Sequence, residues 1–184
     1  MIDTYRLLIG SVGDDSHSVG MALLEIAFRE SGFFVENIGI MNSMDDFFDR
    51  AVNFDAIFIS CMNGHADLYL KEFPYRLKRF NRQNKDPKAW YLGGNLSVQD
   101  LPEDFVRKYR RLGFDFVSPK PISCQAILER LMRDFHKKGV KPRRMVQLTR
   151  DEDIRIESLH LVDDSPMSEH DFLFERQGVL ESYK

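Results

Sequence analysis

The residues Asp15-Ser16-His17-Ser18-Val19-Gly20 put an imidazole two positions from a carboxylate, directly after the first apolar run of the chain. A neutral imidazole nitrogen offers a lone pair to a borderline or soft transition metal. A carboxylate that takes the proton of the other ring nitrogen fixes the tautomer and strengthens that donation. The same pair on a tight loop can instead cap the following helix and hold the turn, and these residues alone leave both readings open. Gly20 would let the backbone come close to a bulky ligand.

A metal site made by protein alone takes three or four ligands, and the neighbouring segments supply few. Cys61 follows an apolar run and reads as a small packed side chain, while His65 after Gly64 reads as an exposed loop histidine. One histidine with one carboxylate suits a metal that arrives with most of its coordination filled, as in a tetrapyrrole-like cofactor. Nucleotide cofactors have weak support: Gly10-Ser11-Val12-Gly13 lacks the G-x-G-x-x-G spacing, and no G-x-x-x-x-G-K-[ST] occurs. Ser60 is a hydroxyl at the end of an apolar run, either a local cap or a ligand contact. Gly93-Gly94 is either a structural turn or a passage kept clear of side chains.

The elements that would position these residues alternate regularly. Tyr5 to Ile9 is a continuous apolar run ending in glycines and aspartates, the pattern of a strand buried on both faces. Val19 to Arg29 has helical spacing through Val19, Leu23, Ile26 and Ala27, with Gly32 as its stop. Residues 33–38 form a second strand. Ser43 with Asp46 forms a cap ahead of a helix whose face is Met44, Phe47, Phe48 and Val52. Ala56 to Ile59 is a third strand, ending at Ser60. Asp67 to Phe80 is helical, with Leu68, Phe73, Leu77 and Phe80 inward and Pro74 as a kink or restart. Ala89 to Leu92 and Phe114 to Val117 are the fourth and fifth strands, separated by a helix over Phe105 to Leu112. A final helix from Ile122 to Phe135 turns Ile127, Leu128, Leu131 and Phe135 inward.

Five strands alternating with helices predict an α/β fold with a doubly wound five-stranded parallel sheet flanked by helices. Right-handed crossovers then bring residues 14–17, 60–64, 93–97 and 118–121 to one sheet edge, where ligands bind in this architecture.

The chain has 184 residues, enough for one domain and a short appendage. Lysine and arginine number 26 against 29 acidic residues, a net charge of -3, which gives no reason to expect nucleic acid. The clusters Arg76, Lys78, Arg79 and Lys137, Lys138, Lys141, Arg143, Arg144 read as solvated faces. No apolar run approaches the ~20 residues of a membrane span. Two cysteines and a start without a basic, apolar leader point to a reducing, cytoplasmic setting. From residue 139 onward the pattern changes. Residues 151–184 hold 10 acidic and 3 basic residues, and Ile154, Ile156, Leu159, Leu161 and Val162 are candidates for extra strands. The expected division is a domain over 1–138 and an acidic extension over 139–184 that serves as a partner or dimer contact.

Taken in order, Asp15-Ser16-His17-Ser18-Val19-Gly20, Ser60-Cys61-Met62 and Gly93-Gly94 resemble the D-x-H-x-x-G, S-x-L and G-G signature of the cobalamin-binding domains, most closely the small subunits of glutamate mutase (methylaspartate mutase). Similarity continues through residues 30–33, 37–39 and 45–47, Asn95, and residues 113–115 with Val117 and Pro119. It covers about residues 5 to 137. The resemblance implies a Rossmann-like (flavodoxin-like) fold, with a C-terminal extension that has no counterpart in those subunits. Met62 stands where the motif has leucine, a volume-conserving change. Asn63 stands where those subunits carry an aromatic residue.

By the same resemblance, His17 is the lower axial ligand of cobalt, replacing the cofactor's own dimethylbenzimidazole, and Asp15 bonds its far nitrogen. The displaced nucleotide tail would run beside Ser60, Cys61, Met62 and Gly93-Gly94, past Asn95, Leu96 and Ser97. Asp14, Ser16, Ser18, Gly20, Asn63 and Pro119 complete the expected cofactor contacts. The cofactor implied is adenosylcobalamin, whose cobalt–carbon bond breaks homolytically to start a carbon-skeleton rearrangement; methylcobalamin is the alternative. No catalytic residue is expected on this chain by itself. A large (β/α)8-barrel subunit would cover the cobalt and hold a small acidic amino acid, glutamate or a related acid. Apolar residues in the extension also permit a homodimer. Two other readings keep the cofactor: a corrinoid methyl carrier, which normally has a helical cap ahead of the domain where only about four residues precede Tyr5 here, and a non-catalytic cobalamin sensor.

Overall fold

A computed structural model of the chain describes residues 2–98 and 104–145. The elements in chain order are β1 (Ile2–Thr4), β2 (Arg6–Ser11), α1 (Val19–Glu30), β3 (Phe34–Asn37), α2 (Met44–Ala51), β4 (Ala56–Ser60), α3 (Ala66–Tyr69), α4 (Phe73–Gln83), β5 (Ala89–Gly93), α5 (Phe105–Leu112), β6 (Phe116–Ser118), α6 (Cys124–Lys138) and β7 (Arg143–Met145). Strands β2 to β6 form a five-stranded sheet in the order β3-β2-β4-β5-β6, and every pairing is parallel. This is the flavodoxin-like order, in which the first strand of the sheet has its sequence successors on opposite sides. The predicted doubly wound sheet is therefore present, and its switch point lies between β2 and β4.

Central strands are buried on both faces because helices cover both, so successive residues enter different cores. On one face Leu7, Ile9, Phe58 and Tyr91 pack with Met21, Phe28, Ile127, Leu131 and Phe135 of α1 and α6. On the other, Leu8, Ile57, Ile59, Trp90 and Leu92 pack with Phe47, Phe73, Phe80 and Tyr109 of α2, α4 and α5. Stacked rings brace each core, Phe58 on Tyr91 at 4.5 Å and Phe73 on Phe114 at 4.1 Å. Each such side chain contributes roughly 1.5–3 kcal/mol by burial.

Several local expectations are met by identifiable interactions. Ser43 and Asp46 form a reciprocal capping box at the start of α2. Pro74 sits in the first turn of α4, where its missing N–H costs nothing, so the 67–80 segment restarts as two helices rather than kinking. Gly113 and Gly139 close α5 and α6 in the left-handed conformation.

Other expectations are corrected. In α1 the buried positions are Met21 and Phe28, with Leu24 packed against them, whereas Val19, Leu23 and Ile26 face outward. Leu68 is also exposed. The fifth strand starts at Phe116, two residues later than expected. Residues Arg143–Met145, read from sequence as part of the extension, pair antiparallel with Ile2–Thr4. The strand candidates Ile154, Ile156, Leu159, Leu161 and Val162 lie outside the described residues. Among the described residues no helix is long and apolar enough to cross a membrane.

Candidate cofactor site at the sheet edge

The switch point is spanned by one buried carboxylate. Asp15, in the loop after β2, is fully buried, and three donors reach it. Its Oδ1 accepts the His17 backbone N–H at 3.2 Å and the His17 ring at Nδ1, 2.6 Å away. Its Oδ2 accepts the Met62 backbone N–H, from the loop after β4, at 2.7 Å. An ionised carboxylate only accepts, so a contact of this kind puts a proton on Nδ1, and in the neutral ring the lone pair then lies on Nε2. The His17 side chain is 59% exposed, and Nε2 has no hydrogen bond among the described residues. The imidazole is held through its Nδ1 side and is largely exposed at the edge.

The loop around that pair is built from backbone knots. Gly13 donates to the Asn42 carbonyl and Val12 to that of Ser60. Gly13 has φ +68, and a Cβ there would lie 2.3 Å from the Tyr69 ring, so Tyr69 closes over the loop only because residue 13 is glycine. The Tyr69 hydroxyl accepts from Asn63 Nδ2 at 3.0 Å, and Asn63 Oδ1 accepts the His65 N–H and the Cys61 thiol. Asn63 is thus a strut of its own loop. Burial pushes the Cys61 thiol up to about 11, and the Asp15 charge acts in the same direction, so Cys61 is a neutral packed group at ordinary pH.

At Gly94 the chains approach closely. Its φ is +123, and a Cβ would lie 2.3 Å from the Cys61 carbonyl oxygen. Gly93 accepts from the Cys61 N–H, Gly94 donates to Ser118, and Gly64 donates to Asn95. Met62 Sδ receives the Asn95 N–H at 3.2 Å. The loops after β4, β5 and β6 are thereby tied into one rim.

The expected residues fall into three groups. Asp14, Ser16, His17, Ser18, Gly20, Met62 and Asn95 are exposed, while Ser60, Asn63, Gly93, Gly94, Ser97 and Pro119 are partly buried, all beside the ends of β2, β4, β5 and β6. Asp15 and Cys61 are fully buried, and Leu96 is 1% exposed within the α2/α4/α5 core. Leu96 therefore anchors its loop and offers no lining surface. Ser18 precedes α1 without a side-chain cap, and nothing lies within 4 Å of a Cβ placed on Gly20. The Asp15 carboxylate accepts from His17 and Met62 and from no N–H of α1, so the pair holds the turn without capping the helix, and the first turn of α1 has no side-chain cap. Among the described residues no three His, Cys, Asp or Glu side chains gather to hold a metal ion. His65 precedes α3, bridges to Ser97 and sets its ring edge-on to Tyr69.

Sequence reading missed Ser11, Met41 and Tyr69. Ser11 is fully buried, and Met41 has φ 61, rare for a bulky side chain. The fold alone is shared by many unrelated functions. The family model described as B12 binding domain matches residues 5–120, well over half of the chain.

The chain belongs to the B12-binding domain family.

This B12-binding domain is 35% identical over 132 residues to glutamate mutase sigma subunit 2 of Haloarcula marismortui, covering 70% of this chain and 86% of that one. It is 33% identical over 134 residues to the glutamate mutase sigma subunit of Carboxydothermus hydrogenoformans, covering 71% and 95%. Among solved structures, a cobalamin-binding protein from Desulfitobacterium hafniense superimposes with a TM-score of 0.53 at 18% identity, over 71% of this chain and 58% of that one. At that identity the likeness shows the fold. The family resemblance drawn from the three motifs is therefore correct.

Proposed function

We propose that this B12-binding domain is the cobalamin-holding small subunit of an adenosylcobalamin-dependent carbon-skeleton mutase of the glutamate mutase type. The observation that carries the reading is the exposed imidazole of His17, with Nδ1 committed to the buried Asp15 and Nε2 without a hydrogen bond among the described residues, at the switch point of a parallel sheet. The donor set fits a corrinoid: one neutral nitrogen with a fixed tautomer meets a metal whose other positions are already filled.

His17 would bind cobalt through Nε2, and Asp15 would keep the proton on Nδ1. Ser60, Met62 and the Gly93-Gly94 turn would hold the displaced nucleotide tail, with Asn95, Ser97 and Pro119 beside it. Gly20 and the open first turn of α1 leave room for a wide ring along the edge. When bound, adenosylcobalamin supplies a carbon radical by homolysis of its cobalt–carbon bond. This chain positions the cofactor, and a large (β/α)8-barrel partner would hold the small acidic amino acid substrate and exclude water. The domain up to Lys138 is assigned the cofactor-binding role.

Cob(II)alamin bound to nitrogen-15 histidine-labelled protein should show histidine nitrogen coupling by electron paramagnetic resonance, lost in His17→Ala. Mixing with adenosylcobalamin and the cognate large subunit should give mutase turnover. Coupling that survives His17→Ala overturns the ligand assignment, and coupling without turnover of glutamate or a related acid overturns the substrate.

A further inference from the structure

The carboxylate of Asp15 can hold His17 only if the main chain of residues 13–17 is itself fixed, and beside the backbone bonds one buried side chain contributes to this. Ser11, the last residue of β2, is fully buried. Its hydroxyl donates to the Asp15 carbonyl at 2.6 Å and accepts the Met41 N–H at 3.1 Å. The same Met41 N–H also reaches the Asp15 carbonyl, at 3.2 Å. Ser11 further binds the 39–42 loop through its backbone, donating to Gly39 and accepting from the N–H and side chain of Asn42. Met41 is held meanwhile at φ 61, a conformation that costs a bulky residue free energy and persists only where its surroundings impose it.

We propose that Ser11 is a positioning residue for the Asp15–His17 pair, acting through the Asp15 carbonyl to hold the carboxylate beneath the imidazole. A hydroxyl that served folding alone would need no link to this pair. Here both of its partners belong to the knot that fixes Asp15, and Met41 carries strain to complete it. The inference deepens the proposed function, because the tautomer of His17 decides whether Nε2 is free to bind a metal, but the geometry it rests on is independent of any cofactor.

The test uses the full-length cofactor-free protein. Long-range nitrogen–proton NMR of the His17 ring should show the Nδ1–H tautomer in the wild type and a shift toward Nε2–H in Ser11→Ala. Restoring the hydroxyl in Ser11→Thr should restore the wild-type pattern. Met41→Gly added to Ser11→Ala should regain thermal stability without regaining the tautomer, and it provides a folded background if Ser11→Ala alone is unstable. Aquocobalamin affinity should fall by about tenfold in Ser11→Ala. A wild-type tautomer in Ser11→Ala, or an Nε2–H tautomer in the wild type, overturns the proposal. A tautomer shift in a protein that binds no corrinoid leaves the positioning role standing and overturns the functional reading instead.

Discussion

Met62 donates its backbone N–H to Asp15 Oδ2 at 2.7 Å, joining loops 47 residues apart across the point where the strand order reverses. The first and third strands of the parallel sheet are thus fastened at their C-terminal ends by the same carboxylate that takes the His17 ring. The orientation of the imidazole is coupled to the position of the loop after β4.

Replacing that carboxylate by its amide should uncouple the two. In Asp15→Asn one donor must face either the Met62 N–H or the His17 Nδ1–H, leaving a buried clash of donors. Corrinoid affinity should fall about 10- to 100-fold, and stability by about 1–3 kcal/mol. Equilibrium binding of aquocobalamin and urea unfolding measure the two effects, and a variant that matches the wild type in both contradicts the arrangement.

Two glycines of the rim should behave oppositely. Gly94→Ala would place a methyl against the Cys61 carbonyl at a φ of +123, costing about 2–3 kcal/mol. Gly20→Ala meets nothing within 4 Å and lies inside α1, so it should stabilise the cofactor-free protein by about 0.5–1 kcal/mol. If the corrin lies along that turn, the stabilised variant binds cobalamin more weakly. Thermal unfolding and binding titration together test the pair.

Burial sets the reactivity of the cysteines. With its thiol raised to about 11, Cys61 has roughly one part in a thousand as thiolate at pH 8. Iodoacetamide at that pH should label the partly exposed Cys124 and spare Cys61 until the protein unfolds. Above the raised value Cys61 would ionise beside Asp15, so labelling should climb toward pH 11. Mass spectrometry of the labelled peptides at stepped pH gives the comparison.

Arg143 fastens β7 at the opposite end of the sheet. Its Nε donates to Asp55 at 3.0 Å, and the other oxygen of that buried carboxylate accepts the Arg6 N–H at 2.8 Å. Arg143→Ala should cost about 1–2 kcal/mol, less than a fully buried pair because the guanidinium is partly solvated. Hydrogen exchange should quicken in residues 2–4 and 143–145 while β2, β4 and β5 keep their protection.

Much of this was legible in the chain, and the residues that were not share a cause. The opening loop, Ser60 and Gly93-Gly94 were recognisable because their types and their places after apolar runs are local properties. The buried face of α1 was not. Val19, Leu23 and Ile26 recur at helical spacing, but so do Met21, Leu24 and Phe28, and periodicity cannot say which of two apolar stripes meets the sheet. The β1–β7 pairing escaped notice for a different reason: two three-residue strands at opposite ends of the described chain carry no periodic signal.

Sequence alone determined the alternation of strand and helix, the edge at which the loops meet, and the His17 and Asp15 pair, since these follow from hydrophobic period, crossover handedness and side-chain chemistry. Only the tertiary structure decided which groups make that pair work. The Met62 N–H and the strained Met41 reach Asp15 from other loops, and the Ser11 hydroxyl reaches it from the end of β2; bonds to main-chain groups depend on where folding brings those groups, not on which side chains the chain carries there.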